Sequence, residues 1–306
     1  MNSAPKIFVA GGCKALGASI LRAFAQAGQA CLPSALEPDL RDQRAVDAFF
    51  EAQQPSWVVY AAGKAGGIGL NRRAPADLIL DNLLSATHVL HAAHRFGVKK
   101  LLYLASSCVY PKDAAQPIRE ESLYASPLEP TNLAYAVSKL AGLELCRALR
   151  QQHGADFNIA VPTNYFGPGD DFSPENSHVV GALMARLRAA AASGGAELSI
   201  WGTGKARREF LYVDDVADAA VFLMQGHSWD GPLNIGSGSA VSIAELAEML
   251  KAITQFSGAL TYDVSKPDGM PVKVLDSTRL AALGWAPKVS FADGLRRTYD
   301  WYLQQK

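Results

Sequence analysis

The chain has 306 residues, and its 29 Lys plus Arg against 29 Asp plus Glu give a formal net charge of zero. That balance withholds the excess positive charge that non-specific binding to nucleic acid or a membrane surface requires, while allowing a few arginines to hold one anionic ligand. With 49% hydrophobic residues, a chain of this length can bury a large core.

In chain order, "KIFVA" (6–10), "QACLP" (29–33), "SWVVYAA" (56–62), "KKLLYLAS" (99–106) and "FNIAVPTN" (157–164) are short apolar runs that predict strands. Between them, residues 16–28, 42–53, 75–97 and 132–154 carry apolar side chains at helical spacing. Unbroken apolar strands alternating with helices predict an α/β fold, a doubly wound parallel sheet with helices on both faces and ligands at the carboxyl ends of the strands. After Gly167 the rhythm changes to a Pro/Gly/Asp-rich loop (167–180) and an alanine-rich helix ending near Ser193. Strands are expected at "LSIWG" (198–202), "REFLYVDD" (208–215) and "PLNIGSG" (232–238), and helices over 242–253 and 290–305. The expected division is a dinucleotide-binding domain over 1–166, with 208–238 returning to its sheet, and a smaller substrate lobe over 167–306.

Cys13, Cys31, Cys108 and Cys146 form no C-x-x-C pair, which points to reduced thiols in a cytoplasmic protein. The N-terminal residues lack signal-peptide architecture, and no apolar run has bilayer-spanning length. His88, His91 and His94 share a helical face, but no cysteine or carboxylate cluster accompanies them, so no metal site is expected.

Two patterns carry chemistry. Gly11, Gly12, Cys13, Lys14, Ala15, Leu16 and Gly17 lie between the first strand and the first helix. Glycines there let a pyrophosphate approach the unpaired N–H groups of a helix N-terminus. Downstream, "YAVSK" puts Tyr135 and Lys139 on one side of a helix, and Ser106 ends a strand. A phenol beside an ammonium is expected to have a lowered pKa and to exchange a proton with a carbonyl oxygen, to which Ser106 offers a second hydroxyl.

These residues together resemble the extended short-chain dehydrogenase/reductases. Five longer stretches, "SSCVYP" (106–111), "EPTNLAYAVSK" (129–139), "PTNYFGPGDDFSPENSHVV" (162–180), "WGTGKARREFLYVDD" (201–215) and "SKPDGMPVKVLD" (265–276), resemble the GDP-L-fucose synthase family within them. The resemblance runs from about Lys6 to Gln304. It implies 3,5-epimerisation of a GDP-linked 4-keto-6-deoxy sugar, then reduction of its C4 ketone. Cys108 and His178 match the positions of the family's epimerisation base and acid. Arg186, Trp201, Arg208 and Asp268 match substrate contacts, and Pro162, Thr163, Asn164 and Tyr165, with His178 and Lys139, match positions at the nicotinamide end of the cofactor. Asp39 and Leu40 match an adenine-side pair, and a homodimer is implied.

The departures lie at the adenine end. Lys14 stands where a G-x-x-G-x-x-G loop has its middle glycine, and Cys13 and "PSALEP" (33–38) stand where NADPH users offer basic residues. No acid follows the second strand directly, as a ribose contact in an NAD site would require. The family implies NADPH; the residues leave NAD open. The loop is read as working but altered, with the Lys14 ammonium attracting phosphate in place of glycine's close approach.

Overall fold

The computed structural model describes residues 4–174, 176–266 and 268–305. Glu175 and Pro267, each inside a quoted motif, and residues 1–3 at the N-terminus lie outside the described residues.

The first half of the chain builds as β1 (Ile7–Ala10), α1 (Ala15–Gln26), α2 (Gln43–Gln53), β2 (Trp57–Tyr60), α3 (Ile68–Arg73), α4 (Pro75–Arg95), β3 (Lys100–Leu104), α5 (Leu133–His153) and β4 (Phe157–Pro162). The local signals are ordinary ones. Asp42 caps α2 by accepting from the Arg44 N–H at 2.9 Å, and Pro75 opens α4 at a position where its missing N–H costs nothing. Beyond β4 come β5 (Asn164–Phe166), α6 (Val179–Ser193), β6 (Glu197–Trp201), β7 (Arg207–Arg208), β8 (Phe210–Tyr212), α7 (Val213–Met224) and β9 (Pro232–Ile235). The chain closes with β10 (Val241–Ser242), α8 (Ile243–Thr254), β11 (Ala259–Asp263), β12 (Val272–Lys273), α9 (Thr278–Ala282) and α10 (Phe291–Gln304).

The main sheet is parallel throughout, in the order β1-β2-β3-β4-β9. Its strands are buried on both faces, which explains their unbroken apolar sequence. One face packs against α2, α4 and α5 through Phe8, Phe50, Leu90 and Leu143; the other packs against α1 and α7 through Ile20, Phe24, Val216 and Leu223. Each such side chain, fully buried, contributes about 1.5–3 kcal/mol. A third apolar cluster, with Phe166, Met184, Leu187, Leu250 and Leu295, is built from residues after β4.

Two segments differ from expectation. "QACLP" makes only a single parallel bridge, Cys31 to Ile7, at the edge of the sheet, before Pro33 ends the extended run. "REFLYVDD" is not one strand: Glu209 separates β7 from β8, and the chain turns helical at Val213.

Candidate active site

A cleft opens at the carboxyl ends of β2, β3 and β4, the place the parallel topology reserves for ligands. Its walls include Leu16, Gly63, Ser106, Tyr135, Lys139, Pro162, Thr163 and Tyr165. Of the expected residues, Leu16 of the loop, Ser106, Tyr135, Lys139, Pro162, Thr163 and Tyr165 thus face one space, while Gly11, Gly12, Cys13, Lys14, Ala15, Gly17, Cys108 and His178 are not among its walls.

At the loop end, Gly11 has φ +88°, in the region that favours glycine, and a Cβ there would meet the Ala62 backbone at 2.8 Å. A Cβ on Gly17 would run into the Gly11 carbonyl oxygen. Lys14 needs no such freedom: it is the N-cap of α1 at φ −99°, ψ 162°, and donates its N–H to Gly11 O at 2.9 Å. The Lys14 side chain makes no capping bond, so among the described residues the first-turn N–H groups at Ala15, Leu16 and Gly17 are left to meet a phosphate. The loop therefore fits the pyrophosphate of a dinucleotide. Cys13 is exposed, its Sγ 3.7 Å from Ser34 O.

Glu37 is the residue at this end that the sequence did not disclose. Its carboxylate accepts from the N–H groups of Gly11 (2.7 Å) and Gly12 (3.0 Å). Burial raises its pKa, opposed by those two bonds and by the charge of Lys14. So an acid does stand at the adenosine end; it folds back from the 3₁₀ turn at Ser34–Leu36, several residues past the bridge at Cys31. Asp39 is bound by Arg41 through Nε at 3.0 Å and Nη2 at 2.9 Å, which holds its carboxyl down to about 2. Leu40 is buried, and its carbonyl is 3.2 Å from His88 Nδ1.

At the chemical end, Ser106 stands two residues past β3 and caps a 3₁₀ turn, its Oγ accepting from the Cys108 N–H at 3.3 Å. Ser106 and the Tyr135 hydroxyl are hydrogen-bonded. The expected lowering of the Tyr135 pKa does not occur. Burial raises it, the nearby Cys108 adds to the rise, and only the Ser106 bond opposes. The reason is where the ammonium goes: Lys139 Nζ donates to Ala62 O (3.1 Å) and Leu104 O (3.2 Å) and sits 5.5 Å from the ring centroids of Tyr60 and Tyr103. Burial brings Lys139 itself down to about 8. A phenol that keeps its proton suits donation to a carbonyl oxygen.

Cys108 Sγ receives Asn132 Nδ2 at 3.1 Å and Lys273 Nζ at 3.7 Å. His178 is the N-cap of α6; desolvation lowers its pKa against the opposing charge of Asp171. Thr163 Oγ1 and Asn164 Nδ2 both donate to Glu209 O at 3.4 Å.

The expected substrate contacts all follow β4 in the chain and lie outside the walls of this cleft. Arg186 donates to Ser199 O. Trp201 is 66% exposed at the end of β6, with Lys266 Nζ 5.8 Å from its ring centroid. Arg208 donates to the main-chain oxygens of Met270 and Asp268, and burial lowers its pKa. The Asp268 carboxylate instead accepts from Thr203 N and Oγ1, both at 2.7 Å.

The pattern of the NAD dependent epimerase/dehydratase family matches residues 7–236. The chain belongs to that family. Among epimerase/dehydratase relatives, GDP-L-fucose synthase 1 of Arabidopsis thaliana is 50% identical over 305 residues, covering 99% of this chain and 94% of the relative. The GDP-L-fucose synthase of Escherichia coli (strain K12) is 41% identical, covering 99% of this chain and 98% of its own. A solved GDP-L-fucose synthetase from Naegleria fowleri bound to NADP superposes with a TM-score of 0.89 at 28% identity, covering 100% and 96% of the two chains.

Proposed function

We propose that this enzyme epimerises GDP-4-keto-6-deoxy-mannose at C3 and C5 and then reduces the C4 ketone with NADPH, giving GDP-L-fucose. The observation that carries the reading is the full-length likeness to GDP-L-fucose synthases, joined to a cleft where Ser106, Tyr135 and Lys139 meet beside Cys108.

Hydrogens at C3 and C5 are acidic because each carbon adjoins the C4 carbonyl. Cys108 removes such a proton, and the electron pair passes to the C4 oxygen, where Tyr135 and Ser106 stabilise the enolate by hydrogen bonds. His178 returns a proton to the opposite face, which inverts the centre. For the reduction, the dinucleotide when bound supplies a hydride to C4. Tyr135 gives the C4 oxygen its proton, and Ser106 orients that oxygen. The first-turn N–H groups of α1 would hold the pyrophosphate, while Lys139, Pro162, Thr163, Asn164 and Tyr165 would line the nicotinamide end. Arg186, Arg208, Trp201 and Asp268 would take the GDP moiety, the two guanidinium groups suiting a diphosphate.

In this reading the enzyme works in the cytoplasm as a homodimer. Among the described residues no helix is long and apolar enough to cross a membrane. Leu80 on α4 and Leu133 on α5 are 56% and 47% exposed, on helices that pack together, and such apolar side chains suit a second copy. Sedimentation of wild type and Leu80→Glu tests this, with a shift toward monomer expected.

Deuterium wash-in from solvent into C3 and C5 tests the epimerisation step separately from cofactor oxidation. Cys108→Ser should lose exchange while keeping cofactor affinity, and His178→Gln should lose exchange as well. Normal exchange at both carbons in both variants would refute the acid/base assignment.

A further inference from the structure

A cysteine that acts as a base must carry its sulfur as the anion, because a neutral thiol has no proton vacancy to fill. The surroundings of Cys108 are built for an anion. Two N–H donors from distant parts of the chain converge on Sγ: the Asn132 amide at 3.1 Å and the Lys273 ammonium at 3.7 Å. A thioether-like or protonated sulfur is a weak acceptor and gives two donors little to bind, whereas a thiolate satisfies both.

Neither donor is there for another partner. Among the described residues Lys273 makes no ion pair with a carboxylate. Asn132 leaves its Oδ1 buried without a hydrogen bond while Nδ2 faces the sulfur. The backbone under each is fixed. Lys273 lies on β12, paired with Arg208 of β7, and its carbonyl accepts the Glu209 N–H at 3.1 Å. Asn132 closes the turn that starts at Pro130, where Glu129 accepts from Thr131 N at 3.2 Å.

We infer that Lys273 is a positioning residue that, with Asn132, holds the Cys108 sulfur in its anionic form for proton abstraction. The inference rests on the reading of Cys108 as the epimerisation base. During that step the substrate C–H bond breaks, an S–H bond forms and the electron pair moves to the C4 oxygen. Lys273 keeps its proton throughout and contacts only the sulfur. The register of β12 against β7 also sets Lys273 opposite Arg208, so the strand that holds the sulfur adjoins one expected to bind the diphosphate.

Alkylation of Cys108, followed by peptide mass spectrometry, reads the thiolate without any turnover. Exposed Cys13 in the same chain serves as the internal reference. Lys273→Met should slow reaction of Cys108 with neutral iodoacetamide by about tenfold relative to Cys13, the size expected on losing a charge-assisted bond. Anionic iodoacetate should lose more than iodoacetamide, because the ammonium attracts it as well. Lys273→Arg should restore most of both rates, a rescue that loss of packing alone would not show. Wash-in of deuterium into the sugar should slow in Lys273→Met and recover in Lys273→Arg. Wild-type alkylation of Cys108 in a folded Lys273→Met enzyme would overturn the inference. If instead Lys273→Met slows alkylation but Cys108→Ser exchanges both carbons normally, the hold on the sulfur stands and the reading of Cys108 as base falls.

Discussion

The two ends of the cleft are made of different material. At the loop end the site is mostly backbone, with a positive φ at Gly11, the space under Gly17 and a helix start that Lys14 does not cap, and one side chain, Glu37, holds the Gly11 and Gly12 N–H groups. At the chemical end it is side chains, each tied by a specific bond, with Lys139 on two carbonyls, Tyr135 on Ser106, and Cys108 between Asn132 and Lys273. A backbone site tolerates a new side chain wherever the main-chain geometry is ordinary, which is why Lys14 can stand in the glycine pattern. A side-chain site has no such slack.

Substitutions at the two ends sharpen this contrast. The largest effect belongs to Tyr135→Phe, which removes the proton donor and should slow hydride transfer by about 10²–10⁴-fold while leaving deuterium wash-in measurable; single-turnover cofactor oxidation reads it. Lys139→Met should likewise stop reduction, yet make the protein more stable. At neutral pH the folded state buries an ammonium whose pKa is about 8, against a reference of 10.5, a penalty of roughly 3 kcal/mol. Between those two values the unfolded chain holds a proton that the folded one has shed, so wild-type stability should rise with pH across that window. The gain in Lys139→Met is therefore full below pH 8 and gone above about 10.5, as melting curves at several pH values would show.

Gly17→Ala probes the loop end and should cost about 1–3 kcal/mol through its clash with Gly11 O, lowering both melting temperature and cofactor affinity. Lys14→Ala should have the smallest effect, about tenfold weaker cofactor binding if its charge assists a phosphate. Lys14→Gly should behave like Lys14→Ala, because the φ of −99° asks for no glycine. Calorimetry with NADPH and NADH separates the possibilities: unchanged affinity in Lys14→Ala would make this lysine a bystander.

Much of this was legible in the sequence because period and punctuation agreed. All five strands of the main sheet, β9 at "PLNIGSG" included, are readable as short apolar runs, and Tyr135 and Lys139 are recognisable by their spacing on α5. What escaped was set by tertiary contact. α7 follows a strand and shows only a narrow polar stripe through Asp214 and Asp218; Asp214 and Asp215 in its first turn are the available signal for a helix start. Glu37 reaches the glycine loop only because the chain after Cys31 doubles back, and Lys273 reaches Cys108 across 165 residues of separation. No local pattern encodes either approach. The direction of the Tyr135 shift was missed for a similar reason: helical spacing gives the side of the helix, but not which carbonyls claim the ammonium.

The late arrival of β9 in the sheet has a consequence for synthesis. β4 spans Phe157–Pro162, and the strand that covers its free edge ends at Ile235. A growing chain on the ribosome therefore presents an apolar, hydrogen-bond-hungry edge while the whole intervening stretch is still being made. Exposed edges of this kind recruit other strands, so nascent copies on one message are liable to pair with each other, and chaperones that shield them should raise the yield of active enzyme. For the same reason a fragment ending near Phe166 would keep the glycine loop and the Ser106–Tyr135–Lys139 group yet aggregate, whereas co-expression with a fragment that supplies β9 should return it to solution.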